Sequence, residues 1–271
     1  MREGSREPPV WAIAPGEVAD RGAAFVAETV ARAGAGGVVV GLSGGIDSAV
    51  SAAIAVRALG PRQVRAICLP YRTSNPASLA DALAVADVLG IATETVSITP
   101  FVDAFDALRP GADPIRRGNV MARSRMIVLF DISRAEGSLV LGTGNRTEWL
   151  LGYTTLHGDA ACGLNPIGQL YKTEIRLLGD HLDLPRQVLD KAPSADLWNG
   201  QADEDELGFT YADADRLLHH LVDEGLRPRQ LASLGFAPAL VDKVAGRLRA
   251  QAFKRRLPPT CDFGRPVPDS G

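Results

Sequence analysis

Between Gly41 and Ser48 the chain reads Gly-Leu-Ser-Gly-Gly-Ile-Asp-Ser. These residue types at this spacing suit phosphate binding. Gly44 and Gly45 can take positive φ and let backbone N–H groups approach an anion closely. Ser43 and Ser48 add hydroxyls, and a helix starting here would add the partial positive charge of its N-terminus. Asp47 puts a carboxylate into the same cradle. That makes physical sense with a divalent cation between carboxylate and phosphate, usually Mg²⁺. A second cluster runs from Gly142 to Glu148. Its glycines allow a backbone nest, Thr143 offers a hydroxyl, and Glu148 is a candidate second carboxylate for the same cation. The simpler reading of Glu148 is a first-turn acid facing a helix dipole. Downstream, Lys172 can meet phosphates as a point charge. Ser194 lies in the polar stretch Lys191–Trp198, a candidate lid whose closure would bring its hydroxyl onto phosphate.

These residues need strands and helices to place them. Val38-Val39-Val40 leads into the first glycine loop, and an Ala-rich apolar segment, Ala49 to Leu59, follows it. That pattern predicts a buried parallel strand, a tight turn and a helix. Glu17 to Ala33 reads as an amphipathic helix ahead of it. Val64–Leu69, Thr93–Ile98 and Ser138–Leu141 read as further strands. Helices are expected over Pro76–Leu89, with Asn75 as cap, after Thr99 as cap, and over Asn119–Ala135. Alternation of strand and helix predicts an α/β fold, a doubly wound parallel sheet with helices on both faces and ligands at the carboxyl ends of its strands. Both glycine-rich loops fall at such ends. Beyond Leu164 the pattern is helical, over Lys172–Leu182, Tyr211–Asp223, Pro228–Leu234 and Pro238–Phe253. Residues 1–15 read as loose and 260–271 as a disordered tail, leaving one domain.

The chain has 271 residues and a net charge of −3, so charge gives no general case for nucleic acid. Cys68, Cys162 and Cys261 are too scattered for a disulfide framework or a zinc site, which fits a cytoplasmic setting. His157, His181, His219 and His220 lack metal-ligand spacing. No apolar run approaches membrane-spanning length. No Gly-Lys-Ser/Thr follows the glycines, so the first loop is not a Walker A motif, and it does not match a dinucleotide fingerprint either.

The Ser-Gly-Gly-x-Asp-Ser loop after a strand resembles that of the ATP-pyrophosphatases, which split ATP into AMP and pyrophosphate. More specifically, GLSGGIDS, LPYRTSNP, GNVMARSRM, GTGNRTEWLLGY, NPIGQLYKTE, PSADLWNGQADEDELGF and FKRRLPP, in this order from about Val38 to Pro259, resemble the ammonia-dependent NAD⁺ synthetase family. The resemblance implies an adenine nucleotide α-hydrolase-like fold and a homodimer with substrate sites across its interface. It also implies the reaction. ATP adenylates the nicotinate carboxylate of deamido-NAD⁺, and ammonia then displaces AMP. By motif, Gly41, Leu42, Ser43, Gly44, Gly45, Ile46, Asp47 and Ser48 would hold ATP, with Thr143, Lys172 and Ser194. Asp47 and Glu148 would bind Mg²⁺, and Arg123 and Lys254 would contact deamido-NAD⁺. Asp159 resembles an acid that helps deprotonate ammonium; a capping or ion-pair role suits it equally.

Three positions depart from the family pattern. Leu156, Gly163 and Phe253 stand where many members carry Lys, Asp and His that touch deamido-NAD⁺, and they cannot supply those charges. They motivate the alternative of an AMP-forming amide synthetase for another small carboxylate. A tRNA-thiolating pyrophosphatase would usually carry a catalytic cysteine pair or an RNA-binding extension, and neither is evident. A regulatory nucleotide-binding module would not need both Asp47 and Glu148. No fused glutaminase domain is expected, so free ammonia is the expected nitrogen donor; a separate glutaminase partner is left open.

Overall fold

The structure is a computed structural model and describes residues 14–194, 203–256 and 258–261. Helix α1 (Pro15–Arg32) leads into β1 (Val38–Gly41), α2 (Ile46–Leu59), β2 (Val64–Cys68), α3 (Pro76–Leu89) and β3 (Ala92–Thr95). Then come α4 (Thr99–Leu108), α5 (Pro114–Glu136) and β4 (Leu139–Leu141). All strand pairings are parallel, and the order is β3-β2-β1-β4. The chain winds outward from β1 through β2 to β3, then returns to place β4 on the other side of β1. The gap between the carboxyl ends of β1 and β4 is therefore the switch point of the sheet, where such folds open a crevice.

Period-two alternation explains the two covered faces. Val38 and Val40 join one core with Ala66, Ile54, Val85 and Ile175. Val39 joins the opposite core with Ile67, Val102, Met121 and Leu129. Helices α1, α2 and α3 cover the first face; α4 and α5 cover the second.

The second half is helical, as expected. It comprises α6 (Arg146–Leu151), α7 (Lys172–His181), α8 (Arg186–Leu189), α9 (Asp203–Leu207), α10 (Tyr211–Leu218), α11 (Pro228–Leu231) and α12 (Pro238–Ala250). A third core, including Leu151, Leu207, Leu217, Leu231 and Val244, binds this part together.

Several boundaries differ from the sequence reading. The Asn75 side chain does cap α3, accepting from Ala77 N–H at 3.0 Å. Thr99 does not cap α4. It is the first residue of that helix, and its hydroxyl oxygen accepts from Arg72 N–H at 3.0 Å. Strand β3 stops at Thr95, and all four of its residues are exposed, as befits an edge strand. Helix α5 begins five residues before Asn119, because Asp113 accepts from Arg116 N–H at 2.8 Å and Pro114 suits the first turn. The single helix expected over Tyr211–Asp223 becomes α10 plus a π-helical turn, His219–Asp223. The helix ending at Phe253 becomes α12 plus a 3₁₀ turn, Ala252–Arg255. Most of the loose N-terminal segment, all of the lid stretch beyond Ser194 and the tail beyond residue 261 lie outside the described residues.

Candidate active site

The Gly41–Ser48 loop lies at the carboxyl end of β1, and helix α2 starts at Ile46. Gly44 has φ +75°, and a Cβ there would lie 2.1 Å from the Ser78 carbonyl oxygen. A side chain is therefore excluded on both conformational and steric grounds. The loop is held from within. Ser48 Oγ donates to the Gly45 carbonyl at 2.9 Å and accepts from Ser43 N–H at 3.2 Å. Gly45 N–H donates to Ser43 Oγ at 3.2 Å. One of the serines, Ser48, thus spends its proton on the loop itself, which fixes the cradle in shape before any anion arrives.

The Gly142–Gly144 loop follows β4. A Cβ at Gly142 would meet Cys162 Sγ at 2.8 Å, so the tight approach of the 162–165 segment requires glycine. Asn145 then caps α6, accepting from Glu148 N–H at 3.0 Å, while Asn145 N–H donates to Glu148 Oε2 at 3.1 Å. This capping box is readable from the Asn-x-x-Glu spacing. The sequence hides its other contact. The fully buried Asn145 also donates from Nδ2 to Asp47 Oδ1 at 2.8 Å, across the switch point. One residue therefore orients both acidic side chains, Asp47 through its side-chain amide and Glu148 through its backbone N–H.

Lys172, the first residue of α7, is buried, and its ammonium donates to Asp47 Oδ2. It lies 3.9 Å from Glu148 Oε1. Burial pulls the Lys172 ammonium toward neutrality, but Asp47 and Glu148 outweigh it, and its pKa is raised. Burial, reinforced by the negative charge of Asp47, pushes Glu148 up to about 8. The two oxygens of Glu148 thus meet different partners. Oε2 closes the cap and Oε1 faces Asp47 and Lys172.

These groups line a cavity of about 950 Å³. From the first loop it exposes Gly41, Leu42, Ser43, Asp47 and Ser48; from the second, Gly142, Thr143, Gly144 and Glu148. Lys172, Ser194, Asp159 and Lys254 also face it. Gly44, Gly45 and Ile46 do not line it. Asp159 accepts from Thr155 N–H at 2.9 Å, so it is a loop cap as well as a cavity residue. Lys254 donates to the carbonyls of Gly152 and Thr154 at 2.8 and 2.7 Å, and burial lowers its pKa. Arg123 is exposed on α5, outside this cavity, and its Nε donates to the Leu156 carbonyl at 3.1 Å. The next arginine of that block, Arg125, does line the cavity, beside the Leu69 carbonyl that accepts from its Nε at 3.1 Å. Leu156, Gly163 and Phe253 lie outside the cavity wall.

Sequence reasoning missed Tyr153, Asp203, Glu206 and Arg247, which also line the cavity. Tyr153 OH donates to Asp203 at 3.1 Å and Glu206 at 2.9 Å. Asp203 and Glu206 stood in the matched Asp-Glu-Asp-Glu-Leu run, but their pairing with a tyrosine fifty residues away left no local signal.

An anion loop, paired carboxylates and a buried lysine at the switch point of a parallel sheet mark a nucleotide-binding α/β protein. The NAD synthase family model matches residues 18–258, and the chain belongs to the NAD synthase family. It is 51% identical to the NH(3)-dependent NAD(+) synthetase of Trichlorobacter lovleyi over 234 residues, 86% of each chain. It is 48% identical to that of Chlorobaculum parvum, over 86% of this chain and 84% of that one. Among solved structures, the NH3-dependent NAD synthetase of Campylobacter jejuni, in complex with nitrate, superposes with a TM-score of 0.80 at 34% identity, covering 93% of this chain and all of that one. A Francisella tularensis protein described as an NMN synthetase gives a TM-score of 0.83 at 34% identity with the same coverage.

Proposed function

We propose that this chain makes NAD⁺ from deamido-NAD⁺, ATP and ammonia, releasing AMP and pyrophosphate. The observation that carries the mechanism is the meeting of Asp47, Glu148 and Lys172 at one end of the phosphate loops. A carboxylate resists amidation because oxide is a very poor leaving group. An oxygen of the nicotinate carboxylate attacks the α-phosphorus of ATP, and the bond to pyrophosphate breaks. Ammonia then adds to the acyl carbon, and the bond to AMP breaks. Backbone and hydroxyls from Gly41 to Ser48, with Thr143, hold the phosphates. Lys172 neutralises charge that grows on the leaving pyrophosphate. Ser194 adds a hydroxyl from the segment leading into the lid stretch. Asp159 accepts a proton from ammonium, and Lys254 and Arg123 contact deamido-NAD⁺, Arg123 from outside this cavity.

The residues fit a divalent cation. Asp47 and Glu148 are hard oxygen donors, and once Glu148 gives up its proton to the ion the two together exceed the single charge of Lys172. Among the described residues no group of three or more His, Cys, Asp or Glu side chains forms a metal cage. That suits Mg²⁺, which typically takes one or two carboxylates and completes its shell with phosphate oxygens and water. Bound there, the ion would stabilise charge on the phosphates. Because Glu148 stays protonated up to about pH 8 in the free protein, metal binding at pH 7 is expected to release about one proton and to tighten as pH rises toward 8. Titration calorimetry in two buffers of different ionisation enthalpy reads this directly; identical heats in both would contradict it.

The proposal includes one NAD synthase domain in a cytoplasmic setting and a homodimer. No described helix is long and apolar enough to cross a membrane. Phe101 and Leu108 on α4 and Ile115, Ile127 and Phe130 on α5 are exposed large apolar side chains. A second copy is the occupant proposed to cover them, and light scattering should give twice the chain mass.

The test of function is a product assay with Mg-ATP and ammonium in which deamido-NAD⁺ and nicotinate mononucleotide compete. NAD⁺ and AMP forming one for one from deamido-NAD⁺ supports the proposal. Turnover of the mononucleotide alone would favour the second reading, an amide synthetase for another small carboxylate. That reading is motivated by Leu156, Gly163 and Phe253 and by the likeness to a protein described as an NMN synthetase.

A further inference from the structure

The face of α10 that carries Tyr211 and Asp215 meets the first turns of both helices that present the reacting side chains. Asp215 is 4% exposed, and among the described residues no lysine or arginine is hydrogen-bonded to it. One carboxylate oxygen accepts from Thr147 Oγ1 in α6. The other accepts from Thr173 N–H and Thr173 Oγ1 in α7, both at 2.8 Å. Thr147 Oγ1 in turn accepts from Lys172 N–H at 3.0 Å. Thr147 immediately precedes Glu148, and Thr173 immediately follows Lys172. Four residues back along α10, on the same face, the Tyr211 ring lies 5.3 Å from the Lys172 ammonium. The Tyr211 hydroxyl donates to Asp203 at 3.1 Å.

Burial is costly for a carboxylate, and among the described residues all of its donors belong to α6 and α7. Within α7, Glu174 accepts only the N-cap N–H of Tyr171, at 2.7 Å; the first-turn N–H groups of Lys172 and Thr173 find their acceptors outside the helix, on Thr147 and Asp215. We infer that Asp215 is a positioning residue. It clasps the first turns of α6 and α7, so that Glu148 and Lys172 are held at the separation the chemistry uses. The C-terminal helical part thus fixes the geometry of a site whose ligand-binding loops lie on the sheet. The inference rests on the proposed roles of Glu148 and Lys172, but its geometric content can be tested without turnover.

The experiment compares wild type with Asp215→Asn, which keeps the shape but turns an NH₂ toward donors. Lys172 is labelled with acetic anhydride in the metal-free protein, and the extent is read by mass spectrometry against the exposed Lys243. Labelling of Lys172 is expected to rise by roughly tenfold as its local opening becomes easier. In parallel, kcat should fall about 10–100-fold, as for other outer supports of a site. The KM for deamido-NAD⁺ should stay within about threefold, because the loss falls on the transition state. Leu217→Val, in the same helix and core but away from the clasp, serves as the stability control. If Asp215→Asn does not fold, Thr147→Val and Thr173→Val remove the donors singly and should raise labelling in the same direction. Unchanged Lys172 labelling in a folded clasp variant, or changes no larger than in Leu217→Val at matched stability, would overturn the inference. A wild type that makes no NAD⁺ would sink the functional reading while leaving the labelling comparison intact.

Discussion

Asp47→Asn is expected to lower kcat by about 10³-fold or more while leaving the circular dichroism spectrum unchanged. The loss is that of a charged oxygen ligand at the reacting phosphates, an effect on the order of 4 kcal/mol in the transition state. The fold should survive because Asn keeps the volume and can still accept from Lys172. Glu148 Oε1, 3.9 Å from that ammonium, remains as a counterion. The variant also removes the charge that, after burial, most disfavours ionised Glu148. Its carboxyl should then titrate lower than in wild type. Rapid-quench measurement of AMP with ammonium omitted isolates the first step. Normal AMP formation in the variant would remove Asp47 from the adenylation machinery, and loss of secondary structure would make it a folding residue.

Lys172→Met carries the second large effect, a fall in kcat of roughly 10²–10³-fold, since it replaces a buried cation aimed at developing charge with a neutral side chain. It also changes stability with a definite sign. Glu148 already has a folded pKa raised from 4.5 to about 8. A raised carboxyl favours the folded state most below its unfolded pKa, and that contribution is lost as pH climbs through the folded value. Without Lys172, two buried carboxylates face each other uncompensated, and the folded pKa rises further. Both proteins lose stability from this group as pH climbs toward 8, so the metal-free variant should fall progressively further behind wild type only above about pH 8, where wild type has ionised Glu148 and the variant has not, and added Mg²⁺ should recover more of the loss at pH 8 than at pH 6. Thermal scans across pH with and without Mg²⁺ check this. A difference between variant and wild type that does not widen above about pH 8 would contradict the assigned ion triad.

The legible parts of the site were those written locally. Strand, glycine turn and helix around Asp47 stand close to where the pattern put them, because Val38–Val40 alternates between two cores and Gly44 admits no side chain. The Asn145–Glu148 spacing likewise encodes its own capping box. What stayed hidden depends on contacts between distant segments. Asn145 reaches Asp47 across 98 residues and Lys172 reaches it across 125. Local pattern named the residues but not the bonds between them. Asp215 had no motif of its own; only the packing of α10 on α6 and α7 gives it partners. The edges of elements failed for a related reason. The β-branched run 93–98 reads as one strand, but the regular ladder ends at Thr95; beyond it Val96 N–H and Ile98 N–H still donate to the Cys68 and Pro70 carbonyls as the chain turns into α4. Thr99, a plausible cap by type, found the Arg72 backbone instead.

The most direct test of the central claim follows the oxygen atoms. Deamido-NAD⁺ carrying ¹⁸O in its nicotinate carboxylate is incubated with Mg-ATP, ammonium and the protein, and the products are weighed by mass spectrometry. If the carboxylate attacks the α-phosphorus, AMP leaves with one heavy oxygen, pyrophosphate carries none, and NAD⁺ appears in equal amount. NAD⁺ formed with unlabelled AMP, or heavy oxygen in pyrophosphate or inorganic phosphate, would contradict adenylation at this site.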